Sequence, residues 1–195
     1  MLSSPLPDEF PYAFTINQHE LLDARQVTTT HKDQRPDPRD ISLLVIHNIS
    51  LPPNQFDTPY IEDFFAGKLD PKAHPYFQVI HEMRVSAHCV IKRDGELIQF
   101  VPFDERAWHA GLSSFQGRQR CNDYAIGVEL EGADHIPYTN QQYTALLKLS
   151  QILMHTYPKI TLGRIVGHND IAPGRKTDPG VAFDWQRFRQ GLGLL

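Results

Sequence analysis

Apolar runs separated by turn-forming stretches divide this chain into strands and helices of different kinds. From Ile41 to Ile46 only Ser42 interrupts the apolar residues. A run with no polar face predicts a central strand covered on both sides, and this one ends in the polar pair His47-Asn48. Apolar residues dominate again from Val85 to Ile91 and from Leu97 to Val101, on either side of Arg93-Asp94-Gly95-Glu96. Asp-Gly between two such runs predicts an antiparallel hairpin. From Tyr124 to Glu131 the pattern alternates, with Ile126, Val128 and Leu130 on one face and Gly127 and Glu129 on the other. The glycine is read as leaving space beside the Glu129 carboxylate, which needs a partner or a task if it is buried.

Helical spacing marks other stretches. Thr58-Pro59, the residues Tyr60 to Ala66, and Gly67 carry the N-cap, first-turn proline and terminal glycine of a short helix. Thr139 caps a longer one, with Tyr143, Leu146, Leu147, Ser150, Leu153 and Met154 as its core stripe before Pro158. The run from Ile160 to Val166 leads to a buried strand. Phe183, Trp185, Phe188 and Leu192 predict a closing helix. Residues 19–40 are polar and end in a loop at Arg35-Pro36-Asp37-Pro38-Arg39-Asp40, and Lys68 to Arg84 reads as a partly irregular insertion of the kind that borders a ligand groove. His74 and His81 in that insertion read as structural or surface residues, and His88 as a hydrogen-bonded interior one. Residues 1–18, with three prolines among aromatics, read as an extension, and 19–195 as the domain. The whole is an α/β fold: one domain with a central mixed β-sheet flanked by helices, its strand order open.

Composition narrows the function classes. With 195 residues, 41% hydrophobic and 22% charged, the chain suits a single soluble domain. A net charge of -4 gives no electrostatic reason for a nucleic-acid or anionic-membrane partner. Cys89 and Cys121 lack metal or redox spacing and read as reduced thiols. No basic and apolar leader follows Met1 and no run reaches membrane-spanning length, so the expected location is cytoplasmic.

The chemistry concentrates between Gly167 and Gly180, where His168, Lys176 and Asp178 lie among glycines and prolines. Such a loop aims side chains rather than building core. Histidine nitrogen and carboxylate oxygen are ligands for zinc, and three protein ligands leave a position open for catalysis. The best set is His47, His168 and Asp178. Spacing alone does not prove it, because the first ligand is distant and HExxH is absent. Glu129 is then the candidate base, and Lys176 points to the same region if that segment is extended.

Many motifs occurring in order carry a resemblance. They are residues 42–53 (Ser42-Leu43-Leu44-Val45-Ile46-His47-Asn48 onward), Ala73-His74-Pro75-Tyr76-Phe77, and Arg84-Val85-Ser86-Ala87-His88-Cys89. Further on come Arg93-Asp94-Gly95-Glu96, Ala107-Trp108-His109-Ala110-Gly111, Arg120-Cys121-Asn122-Asp123, residues 126–132, the Gly167–Gly180 loop and Phe183-Asp184-Trp185. Over roughly residues 20–191 the chain resembles the amidase-2 family of N-acetylmuramoyl-L-alanine amidases, in its cytoplasmic AmpD-type zinc branch. The same fold is similar to phage amidases and peptidoglycan-recognition proteins. The resemblance implies that His47, His168 and Asp178 hold Zn2+, that Glu129 is catalytic and that Lys176 assists. It further implies that Asn48, Arg84, Trp108 and Arg120 help bind a 1,6-anhydro-muropeptide, cleaved between the muramic lactyl group and L-alanine by a monomeric enzyme of cell-wall recycling. An exported amidase acting on polymeric peptidoglycan and a metal-free peptidoglycan-binding module are the alternatives.

Overall fold

A computed structural model of the chain describes residues 14–193, so most of the expected N-terminal extension lies outside the described residues. Phe14 already packs against the main core. An antiparallel pair, β1 (Ile16–Asn17) and β2 (Glu20–Leu21), spans the expected boundary at residues 18–19. The polar stretch before the predicted loop at residues 35–40 holds two more short strands, β3 (Arg25–Gln26) and β4 (Lys32–Gln34). Their side chains are half-buried or exposed, so no hydrophobic alternation announces them. Polar contacts hold them instead: Arg25 reaches Glu62 and Glu96 at 2.7 Å, and Lys32 reaches Glu105 at 2.8 Å.

The apolar run forms β5 (Leu43–Ile49), which carries His47 and Asn48 near its end and runs one residue beyond them. Two short helices follow, α1 (Tyr60–Phe65) and α2 (Phe77–Ile80), and then the predicted hairpin, β6 (Cys89–Ile91) with β7 (Leu97–Gln99). Gly95 has φ +90° in its turn, a conformation that disfavours any side chain. The first hairpin strand is shorter than predicted, because His88 O receives both Phe100 N and Val101 N and disrupts the ladder there. After β8 (Glu105–Ala107), the pair β9 (Ser114–Phe115) and β10 (Arg118–Gln119), and β11 (Ala125–Glu131) comes the long helix α3 (Asn140–Thr156). The chain ends its described course with β12 (Ile165–Gly167), α4 (His168–Ile171) and α5 (Trp185–Gly191).

Six strands form one sheet in the order β12-β5-β11-β6-β7-β3. The first four are parallel to their neighbours and β7 is antiparallel to β6, so the sheet is mixed, as predicted. Alternation along the two central strands sorts their side chains. Leu44, Ile46, Ile126, Val128 and Leu130 join Leu146, Leu149 and Leu153 of α3 in one core. Each such side chain contributes about 1.5–3 kcal/mol by leaving water. Leu43, Val45 and Ala125 point the other way and meet Ala110, Tyr124 and Ile171. A third cluster, with Phe64, Phe65, Phe77, Val90 and Ile98, seats α1 and α2. Thr139 caps α3 in a full capping box: its hydroxyl accepts Gln142 N at 3.1 Å and Gln142 Oε1 accepts Thr139 N at 3.1 Å. Thr58 does not cap α1, because its hydroxyl donates to Leu51 O and Pro59 takes the cap position.

Candidate functional site

Parallel pairing in register assembles the site. Glu129 on β11 lies opposite His47 on β5, and Gly167 on β12 lies opposite Ile46. His168, the next residue along, opens α4 where the chain leaves the sheet. All three therefore stand at the carboxyl ends of neighbouring parallel strands, where open α/β sheets bind ligands. Asp178 returns to them from the loop after α4, and its backbone carbonyl accepts Asn169 N at 3.0 Å.

The three expected ligands converge. His47 Nδ1 and His168 Nδ1 are 3.0 Å apart, and Asp178 Oδ2 lies 3.1 Å from the first and 3.0 Å from the second. All three residues are buried. Hydrogen bonds within this triangle require a proton on an imidazole Nδ1, whereas a bound cation requires the lone pairs there. His168 Nε2 lies 3.2 Å from the Ala110 carbonyl, which can only accept. A proton on His168 Nε2 satisfies that carbonyl and leaves the Nδ1 lone pair facing the carboxylate oxygen. Electron-rich atoms facing one another at this distance suit a shared cation with short nitrogen and oxygen bonds. The trio is thus compatible with a metal site.

Electrostatics favour the binding-competent protonation states. Burial lowers His47 to about 4, against the opposing pull of Asp178, so its ring is neutral. Burial pushes the Asp178 carboxyl up, but its contacts with His168 and His47 outweigh burial and hold the group below the usual carboxylate range. Glu129 moves the other way. Burial raises it well above its ordinary value, the Asp178 charge adds to the rise, and Lys176 opposes it. Its Oε2 is buried without a protein partner.

These groups line a cleft of about 340 Å³ that holds His47, Glu129, His168, Lys176 and Asp178 on its polar side. Phe64, Phe65, Tyr76, Ile80 and Met83 form its apolar wall, so the insertion does border a groove. The expected substrate contacts divide into two groups. Asn48 lines the cleft, its amide donating to Asp134 Oδ1 at 2.9 Å and Pro179 O at 3.1 Å. Trp108 sits beside the cleft-lining residues Val85 and Ser86, donates from Nε1 to Asp33 at 3.0 Å, and has Arg84 5.4 Å from its ring centroid. Arg120, in contrast, pairs with Asp123 at 3.2 Å and borders a separate depression with Leu112 and Arg175.

His109 is the cleft residue that the sequence reading passed over. Its Nδ1 lies 2.9 Å from His47 Nε2, and its ring occupies the space beside Gly127. A Cβ at Gly127 would collide with that ring. The glycine therefore makes room for an imidazole, rather than open space beside Glu129. The available signal was the pairing of an unexplained strand glycine with a histidine in the Trp108–Gly111 loop. His88 is the interior, hydrogen-bonded histidine expected, and Cys89 and Cys121 are both free and buried.

The model of a family described as N-acetylmuramoyl-L-alanine amidase (Amidase_2) matches residues 37–181. The 1,6-anhydro-N-acetylmuramyl-L-alanine amidase AmpD of Haemophilus influenzae is 61% identical over 173 residues, covering 89% of this chain and 94% of that protein. Its Escherichia coli counterpart is 56% identical over 174 residues, with 89% and 94% covered. A crystal structure of a selenomethionine AmpD derivative superposes with a TM-score of 0.89 at 54% identity, over 91% of this chain and 99% of that one. Escherichia coli AmiD, solved with the substrate anhydro-N-acetylmuramic acid-L-Ala-D-gamma-Glu-L-Lys, gives 0.57 at 29% identity, over 92% and 65%.

Proposed function

The chain belongs to the N-acetylmuramoyl-L-alanine amidase family, and from that membership and its site we propose that it hydrolyses the amide joining the lactyl group of N-acetylmuramic acid to L-alanine in 1,6-anhydro-muropeptides. The convergence of His47, His168 and Asp178 beside Glu129 carries this reading. Relatives that are 56–61% identical and bear the anhydro-muropeptide name support the substrate.

His47, His168 and Asp178 would hold zinc, for which two imidazoles and a carboxylate are a suitable donor set. Zinc supplies a Lewis acid that polarises the scissile carbonyl and makes water acidic enough to attack near neutral pH. Glu129 takes the proton from the attacking water and later passes it to the leaving amine of L-alanine. A carboxyl raised by burial suits both halves of that transfer. Lys176, exposed on the loop and lining the cleft, donates to the oxygen on which negative charge develops. The new carbon–oxygen bond replaces the carbon–nitrogen bond, releasing a lactyl carboxylate and a peptide with a free amine.

The apolar wall and the Asn48 side of the cleft flank the bound chain. Arg84, exposed next to Trp108, is placed to pair with a stem-peptide carboxylate, and Arg120 would act as an outer contact. Every proposed catalytic and ligand residue comes from one copy, so a monomer suffices. Among the described residues no helix is long and apolar enough to cross a membrane. With that substrate the proposed location is the cytoplasm.

The test is a mass-spectrometric comparison of purified 1,6-anhydro-muropeptide and intact sacculi as substrates. The expected result is free stem peptide and anhydro-N-acetylmuramic acid from the first, with little release from the second. Equal or faster release from sacculi would favour the polymer-acting alternative. Binding without cleavage in the presence of zinc would favour the binding module.

A further inference from the structure

We infer that the dipeptide His109-Ala110 sets which nitrogen carries the proton in both imidazoles of the trio, with His109 the positioning residue for His47. This rests on the reading that the trio holds a metal ion. For His47 Nδ1 to offer a lone pair to a cation, the proton of its neutral ring must sit on Nε2. Among the described residues the hydrogen-bond partner of that nitrogen is His109 Nδ1, at 2.9 Å. His47 therefore donates and His109 accepts, which puts the His109 proton on its own Nε2. The adjacent residue does the same for the second ligand, because the Ala110 carbonyl receives His168 Nε2 at 3.2 Å. Hydrogen bonds of this kind to the far side of a ligand imidazole fix its tautomer and orientation and raise its basicity.

The surrounding residues hold this dipeptide in place. Asn122 Oδ1 accepts the backbone N–H of His109 at 3.2 Å and of Ala110 at 2.8 Å. Arg175 Nη2 donates to Ala110 O at 2.7 Å, using the second lone pair of that carbonyl. Gly127 lets the His109 ring lie against β11. His109 Nε2 is buried without a protein partner, a state that is costly for a polar group. Phenylalanine would fill the volume without that cost, so packing does not explain the histidine. Its acceptor nitrogen does.

The test is the zinc affinity of the full chain, measured by competition with a chromophoric chelator, for the parent and for His109→Phe, His109→Asn and Gly127→Ala. His109→Phe should weaken zinc binding about 10–100-fold. His109→Asn, whose Oδ1 supplies an acceptor where Nδ1 stood, should stay near the parent, and Gly127→Ala should fall between them. Unchanged affinity in His109→Phe overturns the inference, as does an equal loss in His109→Asn. Nitrogen-15 spectra of the zinc-loaded parent give a second reading that needs no variant. The His109 proton is expected on Nε2, and a proton on Nδ1 overturns the inference. A parent that binds no zinc removes the metal reading itself, an outcome the same titration displays separately.

Discussion

Glu129 and its two charged neighbours govern the chemistry at the scale of single residues. Glu129→Gln should keep the metal and lose turnover by about 10²–10⁴-fold, the usual worth of a positioned acid–base group. His168→Ala should lose both. Metal analysis beside rate measurements separates the two cases, and near-parental turnover in Glu129→Gln would remove that carboxylate from the mechanism. A base acts when deprotonated, so kcat/KM should fall as pH drops through the Glu129 pKa. On this acid limb, burial and the Asp178 charge push Glu129 up, and Lys176, like a bound cation, pulls it back down. Lys176→Met should accordingly shift the limb to higher pH, and reduce the plateau rate by roughly a hundredfold if its oxyanion contact is lost. A pH–rate profile with an unmoved limb would contradict this. The roles proposed for His47, His168, Asp178 and Glu129 rest on residue types at strand ends and in a broken loop, which the sequence displays. The role proposed for His109 had only the unexplained strand Gly127 to point to it, because a hydrogen bond between rings 62 positions apart leaves no local pattern.

Helix starts show how far local signals reach at the scale of elements. Thr58 and Thr139 each precede a helical pattern, yet only Thr139 caps its helix. The difference is tertiary: the Thr58 hydroxyl is taken by Leu51 O across a loop, whereas Gln142 completes the capping box around Thr139. Thr139→Ala should cost about 1 kcal/mol, visible as a melting temperature lower by about 2–4 °C for a domain of this size. Its second bond, to Arg93 O at 2.7 Å, makes a null effect there inconsistent with the structure. The short strands β3 and β4 went unread because polar contacts rather than an apolar face hold them. β11 and α3 were read because burial imposes a period on their sequences, β5 because burial on both faces leaves an unbroken apolar run, and the hairpin because Asp-Gly separates two apolar runs.

One charged contact ties distant parts together at the scale of the molecule. Glu131 is fully buried, pairs with Lys92 at 2.8 Å, and accepts Asp57 N at 2.9 Å and Arg93 N at 3.2 Å. It thereby links β11, the hairpin and the loop leading to α1. Lys92→Met would leave that carboxylate buried beside fewer positive groups. The expected loss is about 3–5 kcal/mol of stability, measured by urea denaturation. Removing metal should also lower the melting temperature, because an ion bound only by the folded chain stabilises it by mass action. A chelator that leaves the transition unmoved would argue against occupancy of the trio.

The sequence by itself determined the strands and helices that carry a hydrophobic period, and it presented the ligand types and the acid–base group. Those signals are local: burial repeats every two or 3.6 residues, and loop chemistry shows in its glycines and prolines. Tertiary structure alone decided that His47, Glu129 and His168 stand in one row, that Asp178 closes on the two imidazoles, and that His109 fills the gap above Gly127. Register between strands remote in sequence sets those distances, and a linear pattern does not encode register. A one-residue slip of β5 against β11 would turn His47 to the opposite face and dissolve the site.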